Sequence, residues 1–141
     1  MELDFEKGGG LLPAIVQDRG SGEVLMLGYM NRTALDATLE TGRTTFFSRS
    51  RNQLWVKGES SGHTLEVREV LVDCDADTIL VRVEPRGPGV CHEGYRSCFY
   101  RTLAADGAVT ETQPRSFDPA VVYGSQGAPA PRGQAAGRGT A

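Results

Sequence analysis

Thr64-Leu65-Glu66-Val67-Arg68-Glu69-Val70-Leu71-Val72-Asp73-Cys74-Asp75-Ala76-Asp77-Thr78-Ile79-Leu80-Val81-Arg82-Val83-Glu84 is the stretch that decides the fold. Leu65, Val67 and Val70 alternate with Glu66, Arg68 and Glu69, the period of a half-buried strand. Residues 78–84 are rich in β-branched side chains and read as a second strand. Between the two lies Asp73-Cys74-Asp75-Ala76-Asp77, where one strand ends and its neighbour begins. Successive side chains of an extended segment point to opposite faces, so Asp73, Asp75 and Asp77 are expected on one face and Cys74 on the other. A tight turn over 75–77 would break that alternation. Carboxylates suit Mg²⁺ or Ca²⁺ and thiolates suit zinc, so the run offers ligands for two kinds of metal side by side.

Other readings of the run are open. With Asp73 as the first residue of a twelve-residue calcium loop, Glu84 falls at the last position. Thr78 then stands where the loop needs glycine, and Ile79–Val83 is a strand rather than an exiting helix, which excludes that motif. A solvated turn also accounts for the aspartates. A buried small hydrophobe is the ordinary fate of a lone cysteine. Cys91 and Cys98, however, sit among Gly, His, Glu, Tyr, Arg and Ser, which is poor core material.

Outward from this stretch the chain is rich in strands. Ala14–Asp18 and Val24–Tyr29 flank the turn cluster Arg19-Gly20-Ser21-Gly22 and predict a hairpin. Asn31 is a good N-cap, Leu35, Thr38 and Leu39 form a short amphipathic face, and Gly42 is a stop, which predicts a helix over 32–41. Residues 44–48 and 53–57 read as strands. Downstream, residues 85–89 form a loop into Cys91, residues 99–103 a late strand, and residues 105–108 a hairpin turn. Strands outnumber helices and follow one another, so the expected class is a strand-rich α+β fold of antiparallel sheets with one or two short helices. Residues 1–123 read as one domain. Residues 124–141 are rich in Gly, Ala and Pro without an aromatic or an acid, and are expected to be a disordered tail.

With 141 residues the chain suffices for one domain with a core. Its 39% hydrophobic and 23% charged residues are ordinary for a soluble protein. A net charge of −3 argues against a nonspecific nucleic-acid or anionic-membrane binder. No apolar run approaches the ~20 residues of a membrane span. The acidic start, Met1-Glu2-Leu3-Asp4-Phe5-Glu6, lacks a secretory pattern, so the cytoplasm is the expected compartment. Three cysteines cannot close a disulfide framework. Three thiols do match the three protein ligands of a catalytic zinc, whose fourth position stays open for water.

Two further groups carry chemistry. His92, next to Cys91, is a candidate proton shuttle beside a metal-bound water, with His63 a second. Ser48-Arg49-Ser50-Arg51-Asn52 joins two guanidinium forks to small polar side chains, a combination that suits phosphate, and Lys57 opens another small-residue loop. Each also suits a polar surface turn. Trp55 is placed to stack on a base or to fill the core.

Taken in order, these blocks resemble the phosphoribosyl-AMP cyclohydrolase family over about Leu11 to Arg101. The blocks are residues 13–18; 22–27 followed by Tyr29-Met30-Asn31; Ser48-Arg49-Ser50-Arg51 with Leu54-Trp55 and Lys57-Gly58-Glu59; Ser61-Gly62-His63; Asp73-Cys74-Asp75 with Asp77; and Cys91-His92 with Gly94, then Arg96-Ser97-Cys98-Phe99. The resemblance implies a hydrolase that opens the purine ring of N1-(5-phosphoribosyl)-AMP between N1 and C6, giving the phosphoribosyl-formimino-AICAR-phosphate intermediate of histidine biosynthesis. It implies zinc on Cys74, Cys91 and Cys98, and Mg²⁺ on Asp73, Asp75 and Asp77. It further implies an intertwined homodimer whose zinc sites are shared, with Cys74 of one chain joining Cys91 and Cys98 of the other. Glu93 and Tyr95 depart from the commoner family pattern, and no departure removes a metal ligand. For the small-molecule nucleotide, Ser48, Arg49, Ser50, Arg51, Trp55 and Lys57 are expected contacts by residue type. A paralogue acting on another aminopurine nucleotide, and a noncatalytic metal-stabilised nucleotide-binding dimer, are the alternatives.

Overall fold

The strand Leu12–Asp18 (β1) alternates buried and half-buried side chains along its whole length, with Leu12, Ala14, Val16 and Asp18 pointing inward. A computed structural model describes residues 2–123 of the chain; the expected tail, 124–141, lies outside that range. On one side β1 pairs antiparallel with β2 (Val24–Met30), the expected hairpin. After β2 come α1 (Arg32–Thr41), β3 (Thr45–Ser48), β4 (Gln53–Val56) and β5 (Leu65–Val72). The other neighbour of β1 is β6 (Ile79–Pro85), and that pair is parallel. β6 pairs antiparallel with β5, so the four-stranded sheet runs β2-β1-β6-β5.

The parallel centre departs from the expectation of wholly antiparallel sheets, while every other pair is antiparallel. A parallel neighbour needs a long crossover. Everything between Arg19 and Thr78 serves as that crossover. Two small hairpins complete the α+β fold: β3 with β4, and β7 (Arg101–Leu103) with β8 (Val109–Glu111). The five-residue helix α2 (Pro119–Tyr123) follows. No helix among the described residues is long and apolar enough to cross a membrane.

Register builds the core. Ala14 faces Ile79, Val16 faces Val81 and Asp18 faces Val83, so the buried side chains of the two central strands lie side by side. Phe46 of β3 and Ala34 and Leu35 of α1 cover them. The helix begins where the Asn31 side chain accepts the Ala34 N–H at 2.8 Å, and it ends at Gly42, whose φ of 75° is left-handed. One expected core position fails, because Leu39 is 59% exposed. The inward stripe is Ala34, Leu35 and Thr38 instead. Thr38 is held there because its hydroxyl donates to Ala34 O at 2.8 Å and accepts the Thr45 N–H at 3.0 Å, which turns Leu39 to solvent. Trp55 is half-buried, with its ring 5.1 Å from that of Phe46, the core placement.

β5 carries a bulge between Val67 and Glu69, which leaves Arg68 without a cross-strand partner position. Beyond it, Leu71 and Val72 are 41% and 44% exposed on the edge strand of the sheet.

Gly28 of β2 lies directly under the Phe46 ring. A Cβ there would lie 2.5 Å from the Phe46 ring. Gly28→Ala is therefore expected to destabilise the fold by about 1–3 kcal/mol through overpacking, read as a lower denaturation midpoint with unchanged cooperativity.

Candidate functional site

The aspartate run is a turn. Asp73 N–H donates to Thr78 O at 3.1 Å, Ala76 N–H donates to Asp73 O at 3.2 Å, and Ala76 adopts a left-handed φ of 61°. Strand alternation is therefore not what groups these side chains, and the expected opposition of one face to the other fails. The turn gathers the carboxylates by a different route. Asp73 Oδ1 accepts the N–H groups of Asp77 at 3.0 Å and Thr78 at 3.2 Å, folding the run around it. Asp73, Asp75 and Asp77 then offer oxygens that all lie within 4.8 Å of one another. Three hard oxygen donors this close fit a cation such as Mg²⁺.

A cation is already held there. Lys7, in the short 3-10 turn Glu6–Gly8, places its ammonium 2.7 Å from Asp77 and 3.0 Å from Asp75. Asp4 N–H ties the same segment to Ala76 O at 2.7 Å. The Lys7 ammonium holds the Asp77 carboxyl down at about 2, and the lysine is pushed up in return. Sequence reasoning missed Lys7, because nothing local signals a partner so far along the chain.

The cysteines divide into two places. Cys74 is exposed on the acidic turn. Cys91 is buried and Cys98 partly so, and the two thiols interact closely enough to influence each other's ionisation. Their loop folds back on itself: Val90 N–H donates to Arg96 O and Cys91 N–H to Tyr95 O, each at 3.1 Å, and Gly94 N–H donates to Cys91 O at 2.9 Å. Cys98 N–H then docks on Leu25 O of β2 at 2.7 Å, and the Ser97 hydroxyl donates to Val24 O at 2.7 Å. That interaction with Cys98, helped by backbone N–H groups and the Lys57 ammonium, brings the Cys91 thiol down to about 7 against the opposing effect of burial. Burial pushes Lys57 below the usual lysine range, an effect opposed by the nearby Cys98 and Cys91 thiols. A paired, easily ionised dithiol beside a lysine fits a thiolate-seeking metal such as zinc.

The third thiol does not join them within the chain. Among the described residues the aspartates are the one group of three metal-ligand side chains that converges. β2, which anchors Cys98, lies two strands from β6, roughly 10 Å across the sheet. Leu25 pairs near Val16, whereas the acidic turn begins next to the level of Ala14, roughly another 10 Å along the strands.

The other candidates have defined settings. His63 props the loop that leads to Cys91: its Nδ1 lies 3.1 Å from Gly89 O, and its ring meets Phe117 edge-on at 4.9 Å. A Cβ on Gly87 would lie 2.5 Å from that ring, which explains a glycine at this position, of φ 91°. His92 is half-buried, with Nε2 3.4 Å from Glu93 Oε2. Ser48, Arg49, Ser50 and Arg51 form the tip of the β3–β4 hairpin, where Arg51 N–H donates to Ser48 Oγ at 3.3 Å and the Arg49 guanidinium lies 4.2 Å from the centre of the Tyr29 ring. Tyr95 stacks on Tyr100 at 3.5 Å and donates to Glu111 at 2.9 Å, tying the cysteine loop to the β7–β8 hairpin.

The chain is similar to known proteins of one family. The family model described as Phosphoribosyl-AMP cyclohydrolase matches residues 26–100. A protein of that name from Solibacter usitatus (strain Ellin6076) is 56% identical over 126 residues, which cover 89% of this chain and 99% of that one. Others of the same name are similar: 55% identity with that of Geotalea uraniireducens (strain Rf4), covering 87% and 98%, and 58% with that of Nitratidesulfovibrio vulgaris (strain DP4), covering 85% and 94%.

Two titrations check the electrostatics. Alkylation of Cys91 in metal-free protein is expected to reach half its limiting rate near pH 7. Cys98→Ala should move that midpoint toward the ordinary thiol value of about 8.5. Asp77 has a depressed folded pKa, so its stabilisation is complete above the unfolded value and is lost as pH falls through about 2. Lys7→Met removes the largest cause, so carboxyl NMR should show Asp77 titrating closer to the ordinary ~3.9, with acid unfolding at slightly higher pH.

Proposed function

The chain belongs to the phosphoribosyl-AMP cyclohydrolase family, and on that premise we propose that it opens the purine ring of N1-(5-phosphoribosyl)-AMP by hydrolysis at the N1–C6 bond, within histidine biosynthesis, as a zinc- and magnesium-dependent homodimer. The observation that carries the metal reading is the division of the thiols. Cys91 and Cys98 meet beside Lys57, while Cys74 stands exposed on a separate turn. Zinc draws its sulfurs to ~2.3 Å each, a span that the separation across the sheet exceeds within one chain. A second copy supplies the missing thiol in this proposal. Exposed apolar side chains flank both halves: Leu71 and Val72 precede Cys74, and Phe99, 56% exposed, follows Cys98. Such surface next to an incomplete site suits a symmetric interface.

When bound, zinc on three thiolates supplies a Lewis acid that activates water for attack at C6, and Mg²⁺ on the aspartates supplies charge neutralisation for a phosphate. The chain's own residues do the rest. Three thiolates and one zinc ion sum to −1, which favours a purine made cationic by its N1 substituent, and Lys57 balances part of that charge. His92, adjacent to Cys91, is the proposed carrier of the proton that water must lose and the ring nitrogen must gain. Ser48, Arg49, Ser50 and Arg51 are the proposed phosphate contacts, from donors at a hairpin tip. Three reduced thiols need a reducing compartment, which makes the cytoplasm the proposed location.

Three experiments test this. Cys91→Ser should lose bound zinc, measured by metal analysis, and nearly all ring-opening activity; full activity without zinc would refute the mechanism. Cys74→Ser and Cys91→Ser should each be inactive alone, yet mixed and re-associated chains should recover about one quarter of wild-type activity, because half the dimers hold one intact site of two. No recovery would place all three ligands in one chain. Because Lys7 competes for Asp75 and Asp77, Lys7→Met is expected to tighten Mg²⁺ binding several-fold by calorimetry.

A further inference from the structure

We propose that Arg96 is a positioning residue for the Cys91–Cys98 pair, clamping the thiol loop to the β1–β2 turn and thereby setting its affinity for zinc. This rests on the zinc reading of those thiols. The guanidinium is gripped from two sides, Nη2 by Asp18 Oδ2 and Nε by Glu23 Oε1 at 2.7 Å. These carboxylates stand at the two ends of one turn: Asp18 closes β1, and Glu23 immediately precedes β2.

The turn is itself rigid. Asp18 Oδ1 accepts the Gly20 N–H at 2.8 Å, and Asp18 N–H donates to Glu23 O at 2.8 Å. Asp18 is buried, so the partly exposed Arg96 side chain is tied at one end to a fixed point of the fold. A planar fork held by two such carboxylates has one orientation available to it.

From there the constraint passes to the thiols. Arg96 is the residue whose carbonyl accepts the Val90 N–H, so it closes the loop one residue from Cys91. Two residues onward Cys98 binds Leu25 of β2. A Cβ on Gly89 would lie 2.8 Å from Arg96 Cα, so the loop leading to Cys91 packs directly on the Arg96 backbone. Arg96 therefore fixes, through the backbone, the loop that carries both thiols. Groups that orient metal ligands from behind typically change metal affinity 10–100-fold when removed.

The test uses full-length protein. Zinc affinity is measured by chelator competition, and thiolate-to-metal charge transfer is recorded for the cobalt(II)-substituted form, in wild type, Arg96→Lys, Arg96→Met, Asp18→Asn and Arg68→Met. Arg68, which pairs with Glu84 on the exposed face of β5 and β6, is the control for loss of an ordinary ion pair. Arg96→Met and Asp18→Asn are expected to weaken zinc roughly 10–100-fold and to shift the cobalt spectrum, Arg96→Lys to do so partially, and Arg68→Met to match wild type. Thermal melts of the metal-free proteins run alongside. If Arg96→Met or, should it not fold, Arg96→Lys and Asp18→Asn lower only the melting temperature and leave zinc affinity and cobalt spectrum unchanged, Arg96 is merely structural and the proposal is overturned. If wild type binds no zinc, or Cys91→Ser keeps it, the underlying zinc reading fails instead and the proposal falls with it.

Discussion

The parallel pairing of β1 with β6 is the constraint on which the rest of the structure depends. Parallel strands begin at the same end of a sheet, so whatever precedes β1 is brought beside whatever precedes β6. The first is the N-terminal segment with Asp4 and Lys7; the second is the acidic turn. Their contacts, Asp4 to Ala76 and Lys7 to Asp75 and Asp77, follow from that register rather than from any local attraction. The same pairing sends the far end of β1, with Asp18, toward the loop that carries Cys91 and Cys98. One topological choice thus builds two sites and keeps them apart.

The two sites are held by different physics. The acidic turn is exposed and polar, and it answers to charge: a single lysine shifts its acid–base behaviour. The thiol loop is partly buried and answers to backbone geometry, with hydrogen bonds to β2, a clamp on the β1–β2 turn and an aromatic stack on Tyr100. A hard cation tolerates varied arrangements of oxygen donors such as those of the first, whereas the tetrahedral thiolate ligation proposed for the second needs a fixed frame.

Local patterns in the sequence located most of the elements. The Asn31 cap, the Gly42 stop and the turn at Arg19–Gly22 set boundaries that tertiary contacts did not move. Leu39 was misread because a threonine outcompeted a leucine for the buried stripe, using hydrogen bonds that hydropathy does not register. The aspartate run was grouped correctly for the wrong reason, since its closure depends on Ala76 adopting a left-handed backbone that alternation cannot anticipate. The central parallel pair, Lys7 and the partners of Arg96 were invisible because each joins segments far apart in the chain, where neither periodicity nor motif spacing carries information. The convergence of the three aspartates was legible by chemistry, because three carboxylates in one short run are not what core packing requires.

The bulge at Arg68 has a consequence for how this fold can vary. It sets the parity of the second half of β5, so that Val70, Leu71 and Val72 pair with Val81, Leu80 and Ile79 and the acidic turn follows in its present phase. Loss or gain of one residue between Val67 and Val72 would hand every later side chain to the opposite face and rotate the turn with them. Two residues would preserve the facing and only lengthen the ribbon. Natural length changes in this hairpin should therefore come in pairs, and a relative with a single-residue change there should carry a compensating change at the bulge itself.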